Sequence, residues 1–177
     1  MIKMSITDSD CPLCGAGNIK QYMKFNERYS LMKCEACSFV FSQPTPNTEE
    51  LLEYYNSQWK FTYSPTPLSP ARAMRKVKSL QCLIRLYKKD AIRCLDIGCS
   101  FGHTLYGLKL YNYDVVGTDL SKSACEFAKK HYDILIYNSE FPPKDLLSSF
   151  DVLILSEIVE HVINPHLFLK SSLKYLT

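Results

Sequence analysis

Two cysteine pairs stand near the start of the sequence, Cys11-Pro-Leu-Cys14 and Cys34-Glu-Ala-Cys37, with nineteen residues between them. A C-x-x-C pair on a tight turn aims two sulfurs at one point, and two such pairs supply four soft thiolates in the tetrahedral array that zinc prefers. Four protein ligands leave no open coordination position, so the site reads as structural Zn2+ and not catalytic zinc. Further along, Gly98-Cys99-Ser100-Phe101-Gly102 is a loop of small residues that lets backbone approach a ligand, and a helix after it points amide donors at polar or anionic groups. Asp119 follows about twenty residues later, where a carboxylate closing a second strand can accept hydrogen bonds from both hydroxyls of a ribose. Glu157, Glu160 and His161 have i, i+3, i+4 spacing, which on a helix places them on one face as divalent-cation ligands or as a general base. The competing reading puts the two acids at a helix N-terminus, favoured by the dipole, with His161 packed beside them.

These residues need elements to position them. Residues 19–25 and 28–33 read as a hairpin around Asn26-Glu27, and Phe39, Val40 and Phe41 as a short strand after the second knuckle. A unit this small lacks a core of its own. Structural zinc in comparable peptides contributes roughly 10–16 kcal/mol of apparent binding free energy, which offsets that deficit. Residues 43–48 (QPTPNT) end the ribbon, because proline removes ladder donors and biases its predecessor toward extended backbone. Thr48-Glu49-Glu50 opens a short helical pattern carrying Tyr54 and Tyr55. These two, with Trp59 and Tyr63, form an aromatic cluster that is either a lid over a ligand or packing against the next domain.

After a second proline-rich stretch at 64–70, apolar residues recur at three- and four-residue intervals from Ala71 to Tyr87, an amphipathic helix. Its basic face, Arg72, Arg75, Lys76, Lys78, Arg85, Lys88 and Lys89, reads as a solvated face, since it lacks the interleaved exposed aromatics of a stacking platform.

From residue 91 strands and helices alternate: strands at 91–97, 113–119, 133–137 and 150–156, helices over His103–Leu110, Ser121–His131 with a serine cap, and Pro165–Leu176. That order specifies an α/β fold with a parallel sheet and right-handed crossovers. Ligands of such sheets bind beyond the carboxyl ends of the strands, which brings together Asp96, the Gly98–Gly102 loop, Asp119 and Ser156.

With those elements in register, Leu95-Asp96-Ile97-Gly98-Cys99-Ser100-Phe101-Gly102 resembles the first motif of class I S-adenosylmethionine-dependent methyltransferases, D-x-G-x-G-x-G. Gly117-Thr118-Asp119-Leu120-Ser121 resembles their second motif, and residues 150–162 (FDVLILSEIVEHV) are similar to the fourth-strand segment of the family that includes ubiquinone-biosynthesis O-methyltransferases. The N-terminal ribbon followed by P-x-P and a Tyr-Tyr helix resembles a bacterial group of zinc-ribbon methyltransferases acting on sugars and small metabolites.

The resemblance implies S-adenosylmethionine as cofactor. Gly98, Ser100 and Gly102 would line its methionine moiety, with Asp96 and Cys99 in the same loop region. Asp119 would hold the ribose, Leu120 would pack on adenine, and Asn138 and Ser139 would lie near the adenine edge. The chain departs from the motif at its middle glycine, which is Ser100. Dehydrogenases with the G-x-G-x-x-G fingerprint fit less well, because the glycines here are four apart around Ser100.

Composition sets the outer limits. At 177 residues, 46% hydrophobic and 22% charged, the chain has globular composition, and a net charge of +3 falls short of a dedicated nucleic-acid binder. No apolar run of eighteen residues and no cleavable leader pattern appears. The expectation is a soluble, cytoplasmic protein in which four of the eight cysteines bind metal and the remaining four are free thiols, not disulfides. The expected division is a zinc ribbon over 1–43, a linker and helical arm over 44–90, and over 91–177 the first four strands of a seven-stranded Rossmann-like fold, truncated at its C-terminus. Truncation would leave a sheet edge uncovered. The function expected is methyl transfer to a small-molecule acceptor; the alternative is a non-catalytic zinc-ribbon scaffold whose cradle no longer turns over.

Overall fold

The computed structural model describes residues 10–45, 66–87 and 92–177. The helix expected after Thr48 and the aromatic cluster Tyr54, Tyr55, Trp59 and Tyr63 lie outside the described residues, as do Lys88 and Lys89.

The first unit is a three-stranded antiparallel sheet, β1 (Ile19–Lys24), β2 (Ser30–Cys34) and β3 (Val40–Gln43), in that order. Asn26 closes the hairpin, its Oδ1 accepting hydrogen bonds from the backbone N–H of Arg28 (2.9 Å) and Tyr29 (2.7 Å), an Asx turn of the kind this residue favours. The β1–β2 register slips between Gln21 and Met23, a bulge that twists the edge strand.

The second unit holds helices α1 (Pro70–Lys76) and α2 (Lys78–Tyr87), then β4 (Arg93–Ile97), α3 (His103–Lys109), β5 (Asp114–Thr118), α4 (Lys122–Tyr132), β6 (Ile136–Tyr137) and β7 (Val152–Ile154). A further helix, α5 (Pro165–Ser172), and a 3-10 turn over Leu173–Tyr175 follow. The sheet is parallel throughout, in the order β6-β5-β4-β7. Two successive crossovers step outward from β4 through β5 to β6, and the next connection returns to the other side of β4. The order therefore reverses at β4, and the crevice of such sheets opens at that switch point. Beside β7, Leu176 bridges Phe150 in parallel and the Thr177 N–H donates to the Phe150 carbonyl (2.9 Å).

Several expected boundaries shift, each for a local reason. The single helix over 71–87 is two helices, interrupted at Val77 with φ −100° and ψ 7°. Here α3 crosses α1 so closely that a Cβ on Gly107 would stand 2.5 Å from the Ala73 carbonyl oxygen and 2.8 Å from a Val77 methyl. The two helices are not a free arm: Val77 and Ile84 join Ile92, Cys94 and Leu108 in one buried cluster. The third strand shrinks to Ile136–Tyr137 because Asp133 is the left-handed C-cap of α4 (φ 51°). The expected serine cap is present, with Ser121 Oγ accepting from the Ala124 N–H at 3.3 Å. The last helix ends at Ser172 and tightens into the 3-10 turn instead of running to Leu176.

Candidate functional site

In the first unit each knuckle is the same device. Gly15 N–H donates to the Cys11 carbonyl (2.8 Å) and Ser38 N–H to the Cys34 carbonyl (3.0 Å), and both residues adopt left-handed backbone, φ 75° and 63°. That turn brings the sulfurs together: Cys11 Sγ lies 3.7 Å from Cys37 Sγ, Cys14 Sγ lies 3.7 Å from Cys34 Sγ, and all four ligand atoms fall within 4.8 Å of one another. Four sulfurs about 2.3 Å from a single ion stand about 3.8 Å apart in a regular tetrahedron, so the spacing fits zinc. The backbone N–H of Cys37, the largest influence, draws the Cys34 thiol down to about 7, toward the thiolate a metal needs. Among the described residues this is the one group of three or more His, Cys, Asp or Glu side chains that converges in this way.

In the second unit the cradle forms at the carboxyl ends of β4 and β5. Thr118, fully buried at the end of β5, presents its carbonyl to the N–H groups of Gly98 (2.9 Å) and Cys99 (3.0 Å). The loop then carries left-handed backbone at Gly98, Ser100 and Gly102, with φ 75°, 50° and 71°. Ser100, standing where the motif has glycine, still adopts the glycine conformation. Its N–H donates to Asp119 Oδ2 at 2.7 Å, and the N–H of Ser121 donates to Asp119 Oδ1 at 2.8 Å. Asp119 thus ties the first loop to the start of α4, with further acceptor capacity on both oxygens.

Asn138 Nδ2 donates to the carbonyls of Asp119 (3.0 Å) and Leu120 (2.9 Å), which holds the Leu120 side chain out at 70% exposure. Ser139 instead turns inward, its hydroxyl donating to the Phe141 carbonyl at 2.7 Å. Ser156 is exposed two residues beyond β7. Thr118 lies within the second motif, but nothing in the sequence assigned it a role of its own, because it anchors the loop through its backbone carbonyl.

Asp96 is the electrostatic centre of this unit. It is only 3% exposed, and its Oδ1 has no hydrogen-bond partner among the described residues. Burial, with the charge of Asp119 adding, pushes its carboxyl up to about 8. A carboxyl raised above its unfolded value of 3.8 favours the fold in the protonated form. That contribution is fully present below pH 4 and is lost as pH rises through about 8, with a slope approaching about 1.4 kcal/mol per pH unit. Urea midpoints of the ligand-free protein between pH 5 and 9 are expected to fall for the wild type and to fall less for Asp96→Asn. Parallel profiles would mean that Asp96 is ionised and solvated throughout.

Glu157, Glu160 and His161 do not share a helix face. The segment makes a single 3-10 turn over Val159–His161, and Glu157 lies before it in left-handed backbone, φ 52°. With non-helical backbone at Glu157 and only one 3-10 turn after it, the i, i+3, i+4 spacing does not align the three side chains.

Comparison with known proteins follows this geometry. Residues 95–177 match a family model described as a methyltransferase domain. The ubiquinone biosynthesis O-methyltransferase of Bradyrhizobium diazoefficiens is 35% identical over 104 residues, covering 54% of this chain and 38% of that protein. The enzyme of the same name from Bartonella tribocorum is 28% identical over 134 residues, covering 70% of this chain and 54% of its own. The chain therefore spans about half or less of the length of these relatives.

Among solved structures, the plantazolicin methyltransferase BpumL in complex with SAH and a pentazolic desmethylPZN analog superposes with a TM-score of 0.51 at 22% identity, over 74% of this chain and 50% of that one. SAM-bound CalS10, an amino pentose methyltransferase from Micromonospora echinaspora, gives 0.52 at 16% identity, over 65% and 55%. These are likenesses of fold. Residues 95–177, with the loop, the strand-end acid and the strand order described above, are similar in sequence to a methyltransferase domain and share the fold of solved methyltransferases.

Proposed function

We propose that this chain binds S-adenosylmethionine in the β4–β5 cradle and serves a methyltransferase acting on a small metabolite or sugar-type acceptor, with structural zinc in the ribbon. The observation that carries the reading is the buried Asp96 oxygen, without a hydrogen-bond partner among the described residues, beside a loop with left-handed backbone at Gly98, Ser100 and Gly102. S-adenosylmethionine is cationic and brings an α-ammonium group, whose charge would favour the ionised form of the Asp96 carboxyl and donate hydrogen bonds to it. When bound it supplies an electrophilic methyl group on a sulfonium.

The chain's own residues do the holding. Gly98, Cys99, Ser100 and Gly102 would carry the methionine end, and Asp119 the ribose hydroxyls. Leu120, exposed as it is, would cover an adenine face, with Asn138 and Ser139 at its edge. Orientation of the acceptor against the methyl would carry most of the rate. Glu157, Glu160 and His161 follow β7 without converging, so only one of them acting singly would be a candidate general base.

The direct test is thermal unfolding with and without S-adenosylmethionine. At about a hundred times its dissociation constant the ligand should add roughly 2.7 kcal/mol, which raises the midpoint by several degrees. An unmoved midpoint in folded, zinc-loaded protein would favour the scaffold reading, in which the cradle no longer takes a cofactor.

A further inference from the structure

We infer that Ile158 is a positioning residue for the cofactor loop, an inference that rests on the reading just proposed. β7 ends at Ile154, whose register partner on β4 is Asp96. Three residues later Glu157 takes left-handed backbone (φ 52°), a conformation that side-chain-bearing residues rarely adopt and that persists only where surrounding structure enforces it.

The consequence of that conformation is the placement of the next side chain. An ideal Cβ on Gly98 would meet Ile158 Cδ1 at 2.7 Å, Cγ1 at 2.9 Å and Cβ at 3.3 Å. Ile158 therefore fills the volume that a side chain at position 98 would need. Its backbone is fixed from behind, because the His161 N–H donates to the Ile158 carbonyl at 3.0 Å in the following 3-10 turn. Isoleucine suits the position, since branching at Cβ leaves χ1 few alternatives.

The loop is thus held from two sides by different physics. On the β5 side the contacts are polar: the Thr118 carbonyl takes the N–H groups of Gly98 and Cys99, and Asp119 takes that of Ser100. On the β7 side one apolar side chain presses on Gly98. Gly98 stands at the switch point of the sheet order, so Ile158 couples the loop on the acceptor side of the crevice to the backbone that must approach the cofactor. Loosening this contact frees the left-handed turn at Gly98 to sample other conformations, and the loop then has to be reordered by the ligand.

The test uses the whole chain with S-adenosylhomocysteine as calorimetric probe and amide hydrogen exchange as a ligand-free readout. Ile158→Ala is expected to weaken binding about tenfold or more and to speed exchange at Gly98, Cys99 and Ser100, with zinc content unchanged. Ile158→Val, which keeps the branch, should bind within about threefold of wild type. Val152→Ala, on β7 but away from the loop, is the control for lost stability and should leave affinity unchanged. An Ile158→Ala protein with wild-type affinity and wild-type protection of those amides overturns the inference, as does a Val152→Ala protein that weakens binding equally. Should wild type itself bind no probe, the methyltransferase reading fails separately, and the exchange rates at Gly98 to Ser100 still decide whether Ile158 holds the loop. If Ile158→Ala does not fold, a graded loss in Ile158→Val carries the same comparison.

Discussion

Cys34→Ser is expected to abolish stoichiometric zinc and unfold the ribbon while leaving the α/β half folded. Among the described residues of the ribbon only Cys11 and Cys34 are buried apolar positions; the strands otherwise face water along most of their length. Three short strands without a core cannot hold themselves together, so a bound ion and its four sulfurs would serve as the core. Cys34 is, with Cys11, one of the two buried ligands, and it ends β2 at the second knuckle. A serine hydroxyl keeps the volume but not the soft thiolate that zinc selects. Metal analysis of the purified variant, with the ribbon amides followed by NMR, checks both halves of the expectation. One equivalent of zinc retained by Cys34→Ser would rule out a four-cysteine site.

The second large effect is expected at Asp119. Its two oxygens accept the N–H groups of Ser100 and Ser121, so the carboxylate holds the cofactor loop and the entrance to α4 together before any ligand arrives. Asp119→Ala removes both acceptors and the oxygens available to ribose hydroxyls. Hydrogen bonds to a charged group contribute about 1.5–3 kcal/mol. S-adenosylhomocysteine affinity should therefore fall by roughly tenfold to a hundredfold in calorimetry, with Asp119→Asn, which retains one carbonyl acceptor, between the two. Unchanged affinity in Asp119→Ala would put the ribose elsewhere.

Much of this architecture was legible before any coordinate. The cysteine spacing specified two knuckles, the alternation of strands and helices specified a parallel sheet, and Ser121 was readable as a cap because local rules govern it: a turn, a period, a first-turn hydrogen bond. The loop at Gly98–Gly102 was legible as a close-approach segment, and Ser100 keeps the left-handed backbone that glycine would have supplied.

What failed to be legible depended on contacts distant in sequence. The break at Val77 comes with the approach of Gly107, thirty residues on, and no helical period carries that information. The expected alignment of Glu157, Glu160 and His161 rested on helical spacing, and the left-handed backbone at Glu157 defeats it, just before Ile158 lies against Gly98.

The sequence by itself determined which residues are available for chemistry: four thiolates in two pairs, a small-residue loop, and a carboxylate at a strand end. Only the tertiary structure decided their states. Asp96 becomes a buried oxygen without a hydrogen-bond partner among the described residues, Asp119 a clasp between the loop and the start of α4, and Ile158 the occupant of the space above Gly98. The physical reason is that residue type and spacing act along the chain, whereas burial, charge proximity and steric exclusion arise only when strands far apart in sequence become neighbours.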